Sequence, residues 1–144
     1  MSITLEAAQA VIGTALHYAR QNDLQPLAIA VLDARGVLKA FAAEEGTGTG
    51  RGDIAMGKAN GALSMGMGSR TLAKRAKDAP TFFSSLSNTV RGGLVPMAGG
   101  VLIRDPSGTL LGAIGISGDI SDKDEVAALA GIEAAGLVGD PGSD

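Results

Sequence analysis

Apolar residues near the start of the chain recur every three to four positions. Leu5, Ala8, Val11, Ile12, Ala15, Leu16 and Ala19 trace one stripe, a spacing that predicts a helix over residues 4–22. Thr4 is placed to cap it, Glu6 sits in its first turn, and Asn22 and Asp23 end it. The pattern then changes. LAIAVLD at 27–33 is a continuous apolar run of strand length, and Ala34, Arg35 and Gly36 turn it into VLKAFAA at 37–43, completing a hairpin. Beyond a glycine loop, Asp53 is placed to cap a helix running to about Met65, and Ser69 another running to Asp78. Pro80 opens a short polar–aromatic segment, TFFSSLSNTV, and Gly92 and Gly93 punctuate the chain after it. VLIRD (101–105) and TLLGAIGIS (109–117) flank Pro106-Ser107-Gly108 as a second hairpin. Ser121 or Asp122 then caps a last helix with Val126, Leu129, Ala130 and Ile132 as its apolar positions. The terminal GDPGSD (139–144) has little to bury and is expected to fray, which leaves one domain over 1–138.

Hairpins in place of βαβ crossovers imply an antiparallel sheet with helices packed on it, an α+β fold. A Rossmann topology is excluded by that order. At 144 residues the chain fits a single domain. Hydrophobic residues make up 45% of it but aromatics only 3%, with no Trp, so Ala, Gly, Val, Ile and Leu must fill the core. Small residues let backbones approach closely and are also common where surface is buried between subunits. A net charge of −3 and a pI near 5.1 argue against nucleic-acid or anionic-membrane partners, which require a basic field. The absence of cysteine removes disulfides, zinc-thiolate sites, iron–sulfur clusters and thiol catalysis. The N-terminal residues lack signal-peptide features and no apolar run reaches transmembrane length, so a cytoplasmic location is expected.

The stretch GTGTGRGDIAMGKANGALSMGMGS (46–69) lies between a strand and a helix, where a phosphate loop would lie. The dinucleotide pattern G-x-G-x-x-G fails in both registers, ending on Arg51 from Gly46 and on Asp53 from Gly48. A Walker loop fails too, because Ala59 follows Lys58 where a hydroxyl is needed. Arg51-Gly52-Asp53 is a chance tripeptide whose aspartate serves a helix start. Gly57 and Gly61 inside the helix each cost about 0.5–1 kcal/mol relative to alanine, so a close neighbour must offset them. Two neighbours fit: the backbone of the sheet or of another subunit, or a flat ligand walled by Met56, Met65 and Met67.

Candidate chemistry is sparse. His17 is the only histidine and lies off the apolar stripe, on a flank with Gly13 and Arg20. Imidazole catalysis or imidazole iron ligation therefore rests on it alone; otherwise it is a surface helix residue. Lys58 sits amid small apolar residues and needs an anionic partner, for which Glu44, Glu45 or a ligand carboxylate are candidates. Glu44, Glu45 and Asp53 bracket the glycine loop, where they could converge as a general base or hold a hard divalent cation, or remain a solvated loop and a helix cap; no dedicated metal centre is expected. Asp122, Asp124 and Glu125 read as partners of a helix dipole. Gly99, Gly100 and the GAIGISG strand mark close approach of another backbone or a ligand, and Arg70, Arg91 and Arg104 are candidate carboxylate clamps.

Three segments in order, AIAVLDARGVLKAFAAEEG, DIAMGKANGAL and GGVLIRDPSGTLLGAIGISGDISDKDEVAALAGI, resemble the GlcG/HbpS-like family of small bacterial proteins, also found as a C-terminal domain of some cobalamin adenosyltransferases. The resemblance covers about residues 4–136. It implies a profilin-like fold with a five-stranded antiparallel sheet, assembly into homo-oligomers (tetramer to octamer), and heme or a related tetrapyrrole as ligand, with some members serving as accessories to catabolic operons. Many members carry an Arg-Met-Asp-Gly type sequence where this chain has Ala43-Glu44-Glu45-Gly46, so a site built on that arginine would not transfer. Beside a scaffold protein whose glycines serve only assembly, two functions are open. The first is an oligomeric heme-binding protein with His17, Met65, Gly99 and Gly100 at the cofactor. The alternative is a small catabolic enzyme, of isomerase, hydratase or ring-hydrolase type, acting on an organic acid or cyclic metabolite with Lys58, Glu44, Glu45 and Asp53.

Overall fold

Helix α1 (Leu5–Gln21) forms where the apolar stripe predicts it in the computed structural model, which describes residues 1–144. The hydroxyl of Thr4 accepts the Ala7 amide at 3.1 Å and caps the first turn. Both hairpins form as well, β1 (Ala28–Asp33) with β2 (Leu38–Ala43) and β3 (Gly100–Arg104) with β4 (Leu110–Ser117). The same device shapes both turns. Asp33 Oδ1 accepts the amides of Arg35 (2.9 Å) and Val37 (3.1 Å), and Asp105 Oδ1 those of Ser107 and Thr109 (2.9 Å each).

The strands, completed by β5 (Val138–Asp140), make one five-stranded sheet of order β2-β1-β4-β3-β5, antiparallel throughout. The fold is α+β, as the sequence implies. On one face lie α1 and α5 (Ser121–Ala134); on the other lies α2 (Arg51–Met65). Side-chain alternation gives the two faces different characters. Ile29, Val31, Val101, Ile103, Ile114 and Ile116 point into the main core beneath α1 and α5. On the α2 face, Leu32 and Leu102 pack against Ala59 and Ala62, and beside them Ala30, Gly115 and Gly100 are paired across three adjacent strands. A Cβ on Gly115 would overlap the carbonyl oxygen of Ala55, and one on Gly100 that of Lys58. Helix α2 therefore rests on bare backbone, and its own Gly57 and Gly61 are filled from the outer side by Val95 and Leu94. The glycine helix is explained by packing within the chain.

Five local expectations need correction. Helix α2 starts earlier than predicted, with Gly50 at the N-cap and Asp53 in the first turn, where its charge still meets the positive end of the dipole. Gly68, not Ser69, precedes α3 (Ser69–Asp78); Ser69 is buried and its hydroxyl accepts the Gly100 amide at 2.6 Å. TFFSSLSNTV lies in a helix, α4 (Pro80–Thr89), with Pro80 in its first turn and Phe83 and Leu86 packed against Leu72 and Leu94. Its apolar spacing at 83, 86 and 90 was the available signal. Neither Ser121 nor Asp122 caps α5; Ile120 holds the cap position, and Asp124 Oδ1 accepts the Asp119 amide at 3.0 Å. The buried face of α5 is Ala127, Ala128, Gly131 and Ile132, leaving Val126 exposed. Residues 139–144, read as a tail with little to bury, pack against the body of the protein. They include most of β5, and the Ser143 amide donates to Thr71 Oγ1 at 2.8 Å.

Candidate ligand-binding site

Lys58 leaves α2 toward the end of the sheet where β4 runs out and α5 begins. Its ammonium donates to the Ile116 carbonyl at 2.9 Å and to Asp124 Oδ2 at 3.2 Å, and both side chains are almost wholly buried. Gly99 has φ +116°, and a Cβ there would press on the Ile116 carbonyl oxygen and on Lys58 Nζ. Burial lowers the Lys58 pKa against the opposing pull of Asp124, and burial raises that of Asp124 against Lys58. The two directions agree: desolvation outweighs attraction in this pair. The ion pair ties α2 to α5 around the end of β4.

This arrangement redraws the proposed catalytic set. The partner of Lys58 is Asp124, not Glu44 or Glu45. Glu44 instead binds the Leu27 amide through Oε1 and Arg20 Nε through Oε2, both at 2.9 Å, anchoring the end of α1 to the start of β1. Glu45 is exposed, as is Asp53, which lies about 140° around α2 from buried Lys58 at 3.6 residues per turn. No three His, Cys, Asp or Glu side chains converge as a cation site, so the acids bracketing the glycine loop do not form one. Asp124 and Glu125 are more than dipole partners, since Glu125 Oε2 holds Arg70 Nε at 2.9 Å. No local sequence signal marks either pairing, because the partners lie 66 and 55 residues apart.

The residues expected at a cofactor also fall in separate places. Gly99 and Gly100 are buried against Lys58 and α2, so they offer no surface to a ligand. Met65 lines an apolar cavity of about 250 Å³ with Met67, Leu72, Phe82 and Phe83, on the α2 side of the sheet. His17 is exposed on α1, on the opposite side. One turn before it is Gly13, an exposed mid-helix glycine with nothing within 4 Å of the position a Cβ would take. Gly13 lines a groove of about 360 Å³ between α1 and edge strand β2, walled by Leu5, Ile12 and Phe41 with Lys39 at its side. A bare helical surface, apolar walls and a cation thus share one groove, and the imidazole of His17 lies one turn beyond Gly13 on α1, outside the groove's lining. Lys39 and Phe41 carry no signal of this role in the sequence; they become visible only when β2 is laid beside α1.

Of the other candidate clamps, Arg104 donates to the Gly108 carbonyl at 3.2 Å within its own hairpin. Arg70 is held by Glu125, Asp122 and Asp144, and these hydrogen bonds, that of Glu125 foremost, raise its pKa further.

Residues 3–133 match the family model described as "Haem degrading protein HbpS-like". Among solved structures, a double mutant of Streptomyces reticuli HbpS is 30% identical, with a TM-score of 0.80 over 93% of this chain and 87% of that one. PduOC in complex with heme superposes with a TM-score of 0.84 at 21% identity, covering 96% and 98% of the two chains. The Klebsiella pneumoniae protein ORFY gives 0.81 at 21% identity, covering 92% and 90%; these last two likenesses bear on the fold. Compared with curated protein sequences, the chain has no match. No helix is long and apolar enough to cross a membrane.

Proposed function

Because the chain belongs to the HbpS-like family of haem-degrading proteins, we propose that it binds heme or a related tetrapyrrole on the flank of α1 that carries Gly13 and His17. The observation that carries this reading is Gly13. A glycine inside a helix costs about 0.5–1 kcal/mol relative to alanine, and here no neighbour within the chain requires it. A flat macrocycle lying on the helix would. His17, one turn on, supplies an exposed imidazole nitrogen for the iron; Leu5 and Phe41 supply apolar faces, and Lys39 a cation for a propionate. The groove lies near the small end of the usual range for ligand pockets, about 300–1,000 Å³. A second copy closing over it completes the enclosure, and exposed Leu38 and Phe41 on edge strand β2, with Val37 just before it, give that copy an apolar surface. Bound heme would bring an iron centre for ligand or redox chemistry; the chain's part is to hold and shield it.

Hemin titration followed by the Soret band tests this. Saturable binding with a fixed stoichiometry is expected, with loss of the axial-ligand spectrum in His17→Ala. Gly13→Ala is expected to stabilise the free protein by about 0.5–1 kcal/mol while weakening hemin binding. Hemin binding unchanged in both variants would overturn the assignment of this flank.

A further inference from the structure

The largest concavity in the molecule is elsewhere, a groove of about 1000 Å³ between α3, residues 96–98 and the start of α5. Its wall is apolar, formed by Ala73, Ala76, Pro96, Met97 and Ala98. Three cations, Arg70, Lys74 and Lys77, project from α3 along it. Their spacing of four and three residues places them on one helix face, successive Cβ atoms about 5–6 Å apart.

The cations are not equivalent. Lys74 and Lys77 have no ion-pair partner, whereas Arg70 has three. Of these, Glu125 is mostly buried, 12% exposed, whereas Asp122, 74% exposed, is fixed by its place in the first turn of α5. Asp144 is 88% exposed, yet it reaches back to Arg70 Nη1 at 3.1 Å, at the mouth of the groove. An exposed third carboxylate on a guanidinium already held by two others contributes little to stability. It does place a carboxylate where a ligand's carboxylate would bind.

We infer that this groove is a binding site for a small organic carboxylate with an apolar body, and that Asp144 is a resident competitor which such a ligand displaces from Arg70. One carboxylate takes the Arg70 Nη1 position, the apolar body lies on Ala73, Ala76 and Met97, and Lys74 and Lys77 receive a second acidic group. This site is independent of the α1 flank and does not require heme.

Adipate is a suitable probe, since its two carboxylates are joined by an apolar chain; 1,6-hexanediol is its uncharged counterpart. Amide chemical-shift titration of the full chain is expected to show saturable adipate shifts at Ala73, Ala76, Ala98 and Ser121, weakening as salt is raised. Asp144→Asn, which removes the competing charge, is expected to tighten adipate about three- to fivefold. The double variant Lys74→Ala/Lys77→Ala is expected to weaken it about tenfold or more, with an unchanged melting temperature because both lysines are exposed. Equal affinity for 1,6-hexanediol, shifts confined to another face, or an Asp144→Asn variant no tighter than the parent would each overturn the inference.

Discussion

Replacing Lys58 by Met tests whether the buried ion pair ties the two helical layers together or merely fills space. The substitution keeps an unbranched chain of similar length but removes the donor to the Ile116 carbonyl and the counter-charge of Asp124. Asp124 is 1% exposed and would keep only the Asp119 amide at 3.0 Å as a hydrogen-bond donor. Stranding one member of a buried pair costs about 3–5 kcal/mol, a large part of the total stability of a domain this size. Asp124→Asn, added to Lys58→Met, removes the stranded charge yet still accepts from Asp119. Because burial already outweighs attraction for both partners, the double variant is expected to recover to within about 1–2 kcal/mol of the parent. Urea unfolding followed by far-UV circular dichroism measures this, since the chain has no Trp.

The pH dependence supplies a second readout. In Lys58→Met the upward push on Asp124 is unopposed by the ammonium, so its folded-state pKa rises further above the unfolded value near 3.9. A raised acid binds its proton more tightly in the folded state. The stability of the variant is therefore best preserved below the unfolded pKa and falls as pH rises through the folded one. The penalty should be larger at pH 8 than at pH 5, and the added Asp124→Asn should abolish that difference. A single-variant loss below about 1 kcal/mol, or strict additivity of the two substitutions, would refute the account of this pair.

Four further outcomes follow from the packing. Gly115→Ala should cost about 3 kcal/mol or more by driving a Cβ into the Ala55 carbonyl and lifting α2 from the sheet, seen as a lower urea midpoint. Ser69→Ala leaves the buried Gly100 amide without its acceptor and should cost about 1–3 kcal/mol in the same assay. Asp33 is held below the usual carboxylate range: burial pushes it up, but the amides of Val37 and Arg35 and the Arg35 guanidinium outweigh that. Its contribution is thus present above the unfolded pKa and lost as pH falls through the lower folded value, so Asp33→Asn should flatten the acid limb of the stability curve. Phe83→Ala should cost about 3–5 kcal/mol in thermal melts, since it empties the α3–α4 cluster.

The elements with strong periodicity were legible in the sequence. Helix α1 and both hairpins stand where their apolar patterns place them, because each pattern matches a single backbone period. What could not be read locally was partnership. Nothing near Lys58 identifies Asp124, and nothing in GDPGSD shows that Thr71 and Arg70 hold Ser143 and Asp144. Caps failed for a related reason: Asp53, Ser69 and Ser121 are all good cap types, yet in each case the chain enters the helix one or more residues earlier, and the hydroxyl of Ser69 is drawn to a strand amide.

The glycines show most clearly how the structure changes the question. Gly57, Gly61, Gly100 and Gly115 raised two readings, a close backbone or a flat ligand, and all four meet atoms of the chain itself. Gly131 follows the same rule, since a Cβ there would overlap the Val11 carbonyl where α5 crosses α1. Small residues at these positions are the condition for two helical layers to sit directly on sheet and on one another, so they carry no information about ligands. Gly13 is different. It lies within a long helix, its Cβ position is open to solvent, and alanine there would stabilise the helix at no steric cost. Once packing accounts for the glycine-rich helix, Gly13 is the mid-helix glycine with no neighbour in the chain to require it, one turn from the only histidine, and the proposed heme site stands or falls with it.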